Sequence, residues 1–513
     1  MERKARLITS AQIVTRWFRD SYDVQMKRAV CLLALTLTST AAWAQWPQFR
    51  GPNGSGVSDA ASLPVEIGPE KNVRWKLDLP PGHSSPVIVG NRIFLTAADP
   101  SKHAPAPAAG KVVDVGGDLY TICIDRSSGK VLWKRAAPRP RSETYQPTNS
   151  PASPSPVTDG RNVYVFFGDY GLLAYDLNGK SRWTLPLGPF NNSNGHGSSP
   201  ILVNDLLILL CDQDTGSFLL AVDKTTGRVR WKTDRPESTR SYSTPALFKP
   251  SKGPAELIVP GAYQLASYSV QTGEKLWWIT GLSWQPKSTP IVDGEMVYAH
   301  WWENGGEADQ PAETPTFEDT LGKFDANGDK KIARDEFAAD PRLQKGFGDL
   351  DLATDGYVDE RDWFYYRARR ASRNALLAVR PGGARGDLTG SPNIAWRMQK
   401  FLPNVPSPLL YRGALYLIKD GGILTSVDAK NGRILKQDRL AGGLDTYYAS
   451  PVAGGGHVYF ISRNGNLTVV KAERDTWDIV GRADFGDEAF ATPAIADNEI
   501  YLRTRSALYC FGQ

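Results

Sequence analysis

The sequence predicts an all-β protein: an eight-bladed β-propeller of four-stranded antiparallel blades, closed by an N-terminal strand and carrying one small α-helical insertion. Three observations lead there. A Ser/Thr-Pro step followed by apolar residues recurs at Pro86, Pro156, Pro200, Pro245, Pro290, Pro408, Pro451 and Pro493, and five of the seven intervals are 42–45 residues long. Each regular interval holds four short apolar runs separated by polar turns, a sheet too small to be stable alone. Trp133, Trp183, Trp231, Trp277 and Trp396 each end a unit after an apolar strand and a Gly-containing turn. A period in the low forties with four strands per unit is that of blades repeated around an axis.

The clearest unit, residues 198–231, reads SSPILVNDLLILLCDQDTGSFLLAVDKTTGRVRW. The sixth and seventh copies degrade at their ends to NGRILK and ERDTWDIV, and the eighth stops at Tyr509-Cys510-Phe511 without a last strand. Val73-Arg74-Trp75-Lys76 precedes the first Ser-Pro and reads as the end of a unit lacking its beginning. It is expected to complete the eighth blade, leaving no open sheet edge.

Before that strand lie two segments. Residues 1–44 read as a basic leader and secretory signal: Lys27-Arg28, the apolar run Ala29 to Leu37, and Ala42-Trp43-Ala44 before a cleavage site, with Met26 an alternative start. The apolar run is too short to span a bilayer, and Cys31 lies inside it rather than after the cleavage site. The expectation is therefore an unanchored periplasmic or secreted protein. Residues 45–72 form an N-terminal extension and residues 73–513 the propeller. The leader carries seven Lys/Arg and three Asp/Glu, so the formal +5 of the whole chain falls to about +1 beyond it. With no basic block left, nucleic acid is not an expected partner.

Cys123 and Cys510 align with Ala174, Ala221, Ser267, Ala378 and Ser426, a column for small side chains, and with Cys211 they are expected to be free, buried thiols. Residues 98–117 read as an exposed loop rich in Pro, Ala and Gly.

The units resemble the pyrroloquinoline-quinone (PQQ) repeat family, whose copies end in a similar Asp-x-x-Thr-Gly-x-x-x-Trp, here Asp223 to Trp231. The segment Trp46-Pro47-Gln48-Phe49-Arg50-Gly51-Pro52 looks like the N-terminal stretch of large bacterial proteins of this type. The resemblance implies the propeller fold and two functions: quinoprotein dehydrogenases, and a non-enzymatic outer-membrane assembly lipoprotein. In the dehydrogenases PQQ sits in the funnel with calcium, an Asp base and an adjacent Cys-Cys disulfide. No adjacent Cys pair occurs here, and neither base nor ligands of that type match particular positions, so PQQ is possible but not favoured.

Residues 310–374 interrupt the β pattern. Within them, Asp325-Ala326-Asn327-Gly328-Asp329-Lys330-Lys331-Ile332-Ala333-Arg334-Asp335-Glu336 looks like a twelve-residue EF-hand loop. It would bind calcium through Asp325, Asn327, Asp329, the Lys331 carbonyl and a bidentate Glu336. Lys330 stands where Gly is usual, which demands φ > 0 of a residue with a Cβ. A second loop, 351–362, offers Asp351, Asp355, the Tyr357 carbonyl and Asp362, but has Ala353 at the third position. Ile332 and Val358 are expected to pair between the loops, with Phe324 and Phe337 packing the flanking helices.

Residues just before each Ser/Thr-Pro project toward the central channel. The candidate funnel residues are His83, His196, Tyr242, Trp284, Gln285, Lys287, Asn404, Tyr447 and Glu488, with Tyr448 and Phe490 beside them. No nucleophile–base pair or zinc spacing occurs among them. The functional expectation is an exported, non-catalytic propeller that binds a protein or small molecule at the funnel, with calcium in the insertion; the alternative is a PQQ-dependent oxidoreductase.

Overall fold

The computed structural model describes residues 45–60, 62–99, 103–105, 111–114, 116–307, 313–440, 444–473 and 475–512. The leader, its cleavage site, Met26 and Cys31 lie outside the described residues. Eight four-stranded antiparallel blades surround one axis. Blade 3 shows the pattern: Ile201–Val203, Leu206–Cys211, Phe218–Asp223 and Val229–Asp234 pair in sequence order from the axis outward. Blade 8 consists of Ala494–Ala496, Glu499–Arg503 and Ala507–Phe511, with Val73–Asp78 as its outer strand. The chain ends thus close the ring in one blade, as expected.

The tryptophan column joins neighbouring blades. Trp183 at the end of blade 2 donates its indole N–H to Lys224 O of blade 3 at 2.8 Å, and a Cβ added at Gly227 would meet its ring at 2.7 Å. Trp75, Trp133, Trp231 and Trp396 repeat the bond to Arg126 O, Leu177 O, Val270 O and Ala429 O at 2.8–3.1 Å. The Thr-Gly turn of one unit is therefore the seat for the previous unit's Trp. Across the strand, each Trp faces a small residue: Cys510, Cys123, Ala174, Ala221, Ser267 or Ala378. A larger side chain there would collide with the indole, which is why cysteine serves as a small hydrophobe. Cys123, Cys211 and Cys510 are free and buried.

Two joints differ. Trp277, fully buried, gives its N–H to Glu256 Oε2 at 2.8 Å instead of to blade 5. Blade 5's outer turn is lengthened, and its Gly386–Asp387 strand pairs parallel to Trp277 and Trp278 as a fifth strand of blade 4. In blade 6, Lys436 occupies the Trp position opposite Ser426 and lays its ammonium 4.2 Å from the Trp477 ring centroid of blade 7. The two degraded repeat ends thus compensate each other by a cation–π contact.

The first insertion is not a bare exposed loop. His103–Pro105, Val112–Asp114 and Thr144–Tyr145 form a three-stranded sheet, and Lys111 reaches Asn194 Oδ1 at 2.5 Å. A short antiparallel strand pair needs only main-chain partners, which the Pro- and Ala-rich composition did not reveal.

Residues 45–60 run across one end of the channel. Trp46 pairs with Ile88 of blade 1, and Pro47 O accepts from Thr158 N of blade 2. Asn53 makes paired 2.9 Å bonds with Leu247 of blade 4. Arg50 donates to Pro408 O of blade 6 at 2.8 Å, and Gly56 and Ser58 bracket Ala453 of blade 7. The extension is a cross-brace that shuts this end.

Candidate functional site

The other end is open. Its walls are the loops that carry the chain from each outer strand to the next inner strand, ending in the Ser/Thr-Pro steps. The residue before each Pro has an N–H facing the axis, where no further strand exists to accept it. The next blade's hydroxyl does so instead: Ser85 N to Ser155 Oγ, Ser155 N to Ser199 Oγ and Ser199 N to Thr244 Oγ1 at 2.9–3.0 Å. Thr289, Ser407 and Ser450 continue the chain toward Thr492 at 2.9–3.0 Å. This ring accounts for Ser or Thr before every repeat Pro. Buried Ser85 Oγ and Thr289 Oγ1 have no hydrogen-bond partner, so the ring has two seams, at blades 8–1 and 4–5.

Above it lies a funnel of about 440 Å³, within the range of small-molecule sites, roughly 300–1,000 Å³. His83, Tyr242, Gln285, Lys287, Asn404, Tyr448 and Phe490 line it. Four other candidates lie elsewhere. The His196 ring packs against Phe166 and Phe190 at 5.1 and 4.5 Å, below the wall. Trp284 donates to Thr239 Oγ1 and sits between the Arg240 and Arg369 guanidiniums, lining a second cavity under the insertion. Tyr447 is buried in the blade 6–7 core, since adjacent residues of an extended segment point opposite ways and Tyr448 takes the funnel side. Glu488 is held outside by Arg463 and Arg505 at 2.8 and 2.7 Å.

The funnel also contains Phe49, Gln146, Asn149, Asn194, Trp302 and Glu303. Phe49 enters from the brace and has no repeat register to betray it. Gln146, Asn149 and Asn194 stand in the loops before Pro156 and Pro200, so the rule that found His83 reaches them once the loops are read further back.

The charges are few. Burial, then Arg503, Arg505 and Arg463, push the His83 imidazole down to about 3, so it is neutral and stacks on Phe490 at 4.1 Å. Burial brings Lys287 down to about 8, with Glu303 opposing and Arg369 adding to the fall. Glu303 is ion-paired with Arg369.

The insertion leaves blade 5 and lies over blades 3 and 4: Arg361 donates to Asp214 O at 2.7 Å and Tyr365 to Pro236 O at 2.6 Å. Its core holds Phe324, Ile332, Phe337, Phe347, Leu350, Val358 and Trp363. Ile332 pairs with Val358, and Phe324 meets Phe337 edge-on at 5.1 Å. In the first loop Asp325 accepts from Gly328 N and Lys330 N at 2.7 and 3.0 Å, and Glu336 from Ala326 N and Ala333 N at 3.0 and 2.7 Å. Asn327 and Asp329 accept from Asp329 N and Lys331 N at 2.8 and 2.9 Å. Lys330 has φ +65°. In the second loop Asp351 accepts from Asp355 N and Gly356 N, and Asp355 from Tyr357 N. Asp362 is 2 % exposed, and neither of its carboxylate oxygens has a hydrogen-bond partner. Burial first, then Asp359 and Asp351, push it up to about 7. Among the described residues no three His, Cys, Asp or Glu side chains gather closely enough to hold a metal ion as they stand.

Fold and funnel define a closed eight-bladed propeller with one blind, solvent-facing cup. The chain belongs to the PQQ_2 family, described as outer membrane protein assembly factor BamB, whose model matches residues 73–308 and 389–512 and passes over the insertion. No curated protein matches the chain. Among solved structures it is similar to a europium-containing methanol dehydrogenase (10% identity, 92% of this chain and 98% of that one, TM-score 0.55). It is also similar to quinohemoprotein alcohol dehydrogenase from Comamonas testosteroni (11% identity, 92% and 81%, TM-score 0.51) and to BamB from Moraxella catarrhalis (11%, 82% and 98%, TM-score 0.49). At such identities the likeness speaks to fold, not chemistry. Among the described residues no helix is long and apolar enough to cross a membrane.

Proposed function

We infer that the protein is an exported, non-catalytic binding propeller whose funnel takes a small polar ligand and whose insertion binds calcium as an EF-hand-like pair. The observation that carries the binding reading is the state of the carboxylates, Glu303 in the funnel and Glu488 outside it. Glu303 and Glu488 are already ion-paired with arginines, so neither is poised as a general base, while the cup keeps uncommitted polar groups. Mass spectrometry of the native, gently purified protein should find a co-purified small molecule that variants at Tyr448 and Asn404 lose. Retention of the molecule by both variants would overturn the reading. Capture of a protein partner that the brace-deleted chain also binds would move the site off the funnel.

The calcium reading rests on the donor chemistry. Each loop turns backbone N–H groups onto its carboxylates. Buried Asp362 has no hydrogen bond to either oxygen and only the Arg361 guanidinium 3.9 Å from Oδ1, a setting that a proton or a closer cation would relieve. Asp325, Asn327, Asp329, the Lys331 carbonyl and Glu336 would hold one ion; Asp351, Asp355, the Tyr357 carbonyl and Asp362 the other. Calcium titration of the whole chain by calorimetry should show binding that Glu336→Gln and Asp362→Asn each weaken at one site. No heat from the unmutated chain would end the reading.

A further inference from the structure

The funnel's two seams lie opposite each other, since blades 4–5 and 8–1 are half a turn apart in a ring of eight, and the two walls there are chemically unlike. The wall spanning blades 6 to 1 is aromatic: Tyr448 meets Phe490 at 5.2 Å and Phe490 stacks on His83 at 4.1 Å, while Phe49 enters the cup from the brace. The wall at blades 4 to 6 presents Gln285, Lys287 and Asn404. Asn404 Oδ1 is buried without a partner. Among the described residues Lys287 makes no hydrogen bond or ion pair, whereas neighbouring cations are taken: Arg369 by Glu303, Arg240 by Asp214 and Lys111 by Asn194.

A ligand that satisfies both walls needs a ring face of low polarity, hydroxyls that both give and accept, and one negative charge. Amide groups supply donor and acceptor side by side, which suits hydroxyls, and aromatic faces cover the C–H face of a saturated ring. A lipid chain would leave Asn404 Oδ1 and the Ser85 hydroxyl unsatisfied. A trianion would face one free cation and bury two unpaired charges. Resting on the small-ligand reading above, we propose that the funnel binds an acidic sugar, a uronate residue of a glycan, with its carboxylate on Lys287, its hydroxyls on Asn404 and Gln285, and its ring against the His83–Phe490–Tyr448 wall.

The test is calorimetry on the full chain with digalacturonate, its methyl ester and pyrroloquinoline quinone. Digalacturonate should bind, and the ester about 10- to 100-fold more weakly, the range for losing a charge-assisted hydrogen bond. Lys287→Met should weaken the acid by the same factor, leave the ester unchanged and be restored in part by Lys287→Arg. Equal binding of acid and ester, or tighter binding of the quinone, overturns the acidic-sugar assignment while the small-ligand reading survives. Binding of none of the three, with no co-purified molecule in the native protein, overturns both. If the lysine variants fail to fold, the acid–ester comparison on the unmutated chain decides alone.

Discussion

The two ends of the channel are built from opposite materials. The closed end is tied by backbone groups and by Arg50, which is 0 % exposed, has no ion pair among the described residues and donates from Nε and Nη2 to the carbonyls of Gly54, Ser55 and Pro408. The open end is lined by long side chains whose polar atoms are partly unspent, Asn404 Oδ1 and Ser85 Oγ among them. Unsatisfied buried groups are expensive, and the closed end has them too, at Trp46 Nε1 and Arg50 Nη1. What sets the open end apart is that its unsatisfied atoms line a cup that a second molecule can enter.

The largest effects should come from removing the N-terminal pieces in turn. A chain starting at residue 79 lacks the outer strand of blade 8 and should lose its cooperative thermal transition, because the ring cannot close. A chain starting at residue 62 keeps that strand and loses only the brace, with seven hydrogen bonds to blades 2, 4, 6 and 7. At a net of about 1 kcal/mol each, it should fold but be less stable by about 7 kcal/mol in denaturant melts. Equal stability with and without the brace would make the closed end ornamental and remove the contrast.

Much of the ring was legible in the sequence because its signals are local and repeated. The Ser/Thr-Pro step, the Gly turn and the Trp recur since every blade solves the same two problems, an unpaired N–H at the axis and a docking seat at the rim. The closing strand was legible for the same reason: Trp75 is one more member of the column. The brace was not, because residues 45–60 bond to main-chain groups of several blades, and main-chain partners impose no side-chain pattern. The funnel was half legible. Tyr447 and Tyr448, or Trp284 and Gln285, differ only in which way an irregular loop turns, and Gln285 itself sits at φ +52°, off any regular alternation. Trp277 and Lys436 departed from the repeat where a lengthened turn or a lost Trp changed the neighbour.

The repeat joints allow a middle-sized test away from both ends. Gly227 has φ +74° with the Trp183 ring 2.7 Å from where a Cβ would stand, whereas Gly294 has φ +55° and nothing within 4 Å. Both pay for a left-handed backbone, about 1 kcal/mol, so Gly294→Ala should cost about that much. Gly227→Ala adds a collision in a packed joint and should cost about 2–4 kcal/mol. Equal losses would mean that the indole yields, and that the joint is held by the hydrogen bond to Lys224 O rather than by the fit of ring on glycine.

The smallest expected effect separates the ends by pH. His83 belongs to the open end and is held at about 3 by burial and by Arg503, Arg505 and Arg463, with Glu488 the nearby carboxylate. In the unfolded chain the imidazole titrates near 6.5. Between these values the unfolded chain binds a proton that the folded one refuses, so stability is full above about pH 6.5 and falls as the pH drops toward 4. His196 and His300, both down to about 4 through burial, add to the same slope. Asp362, raised to about 7, works against them in the same window, because the folded chain holds a proton there that the unfolded chain has lost. Denaturant melts between pH 4.5 and 7.5 should therefore show stability rising with pH less steeply than three histidines alone would give, and His83→Gln should flatten the rise by up to about 1.4 kcal/mol per pH unit. The brace-deleted chain, which keeps all three histidines, should keep the full slope on a lower baseline. If deleting the brace flattened the slope instead, the proton-sensitive groups would belong to the closed end, and the division of labour between the two ends would be the reverse of the one described.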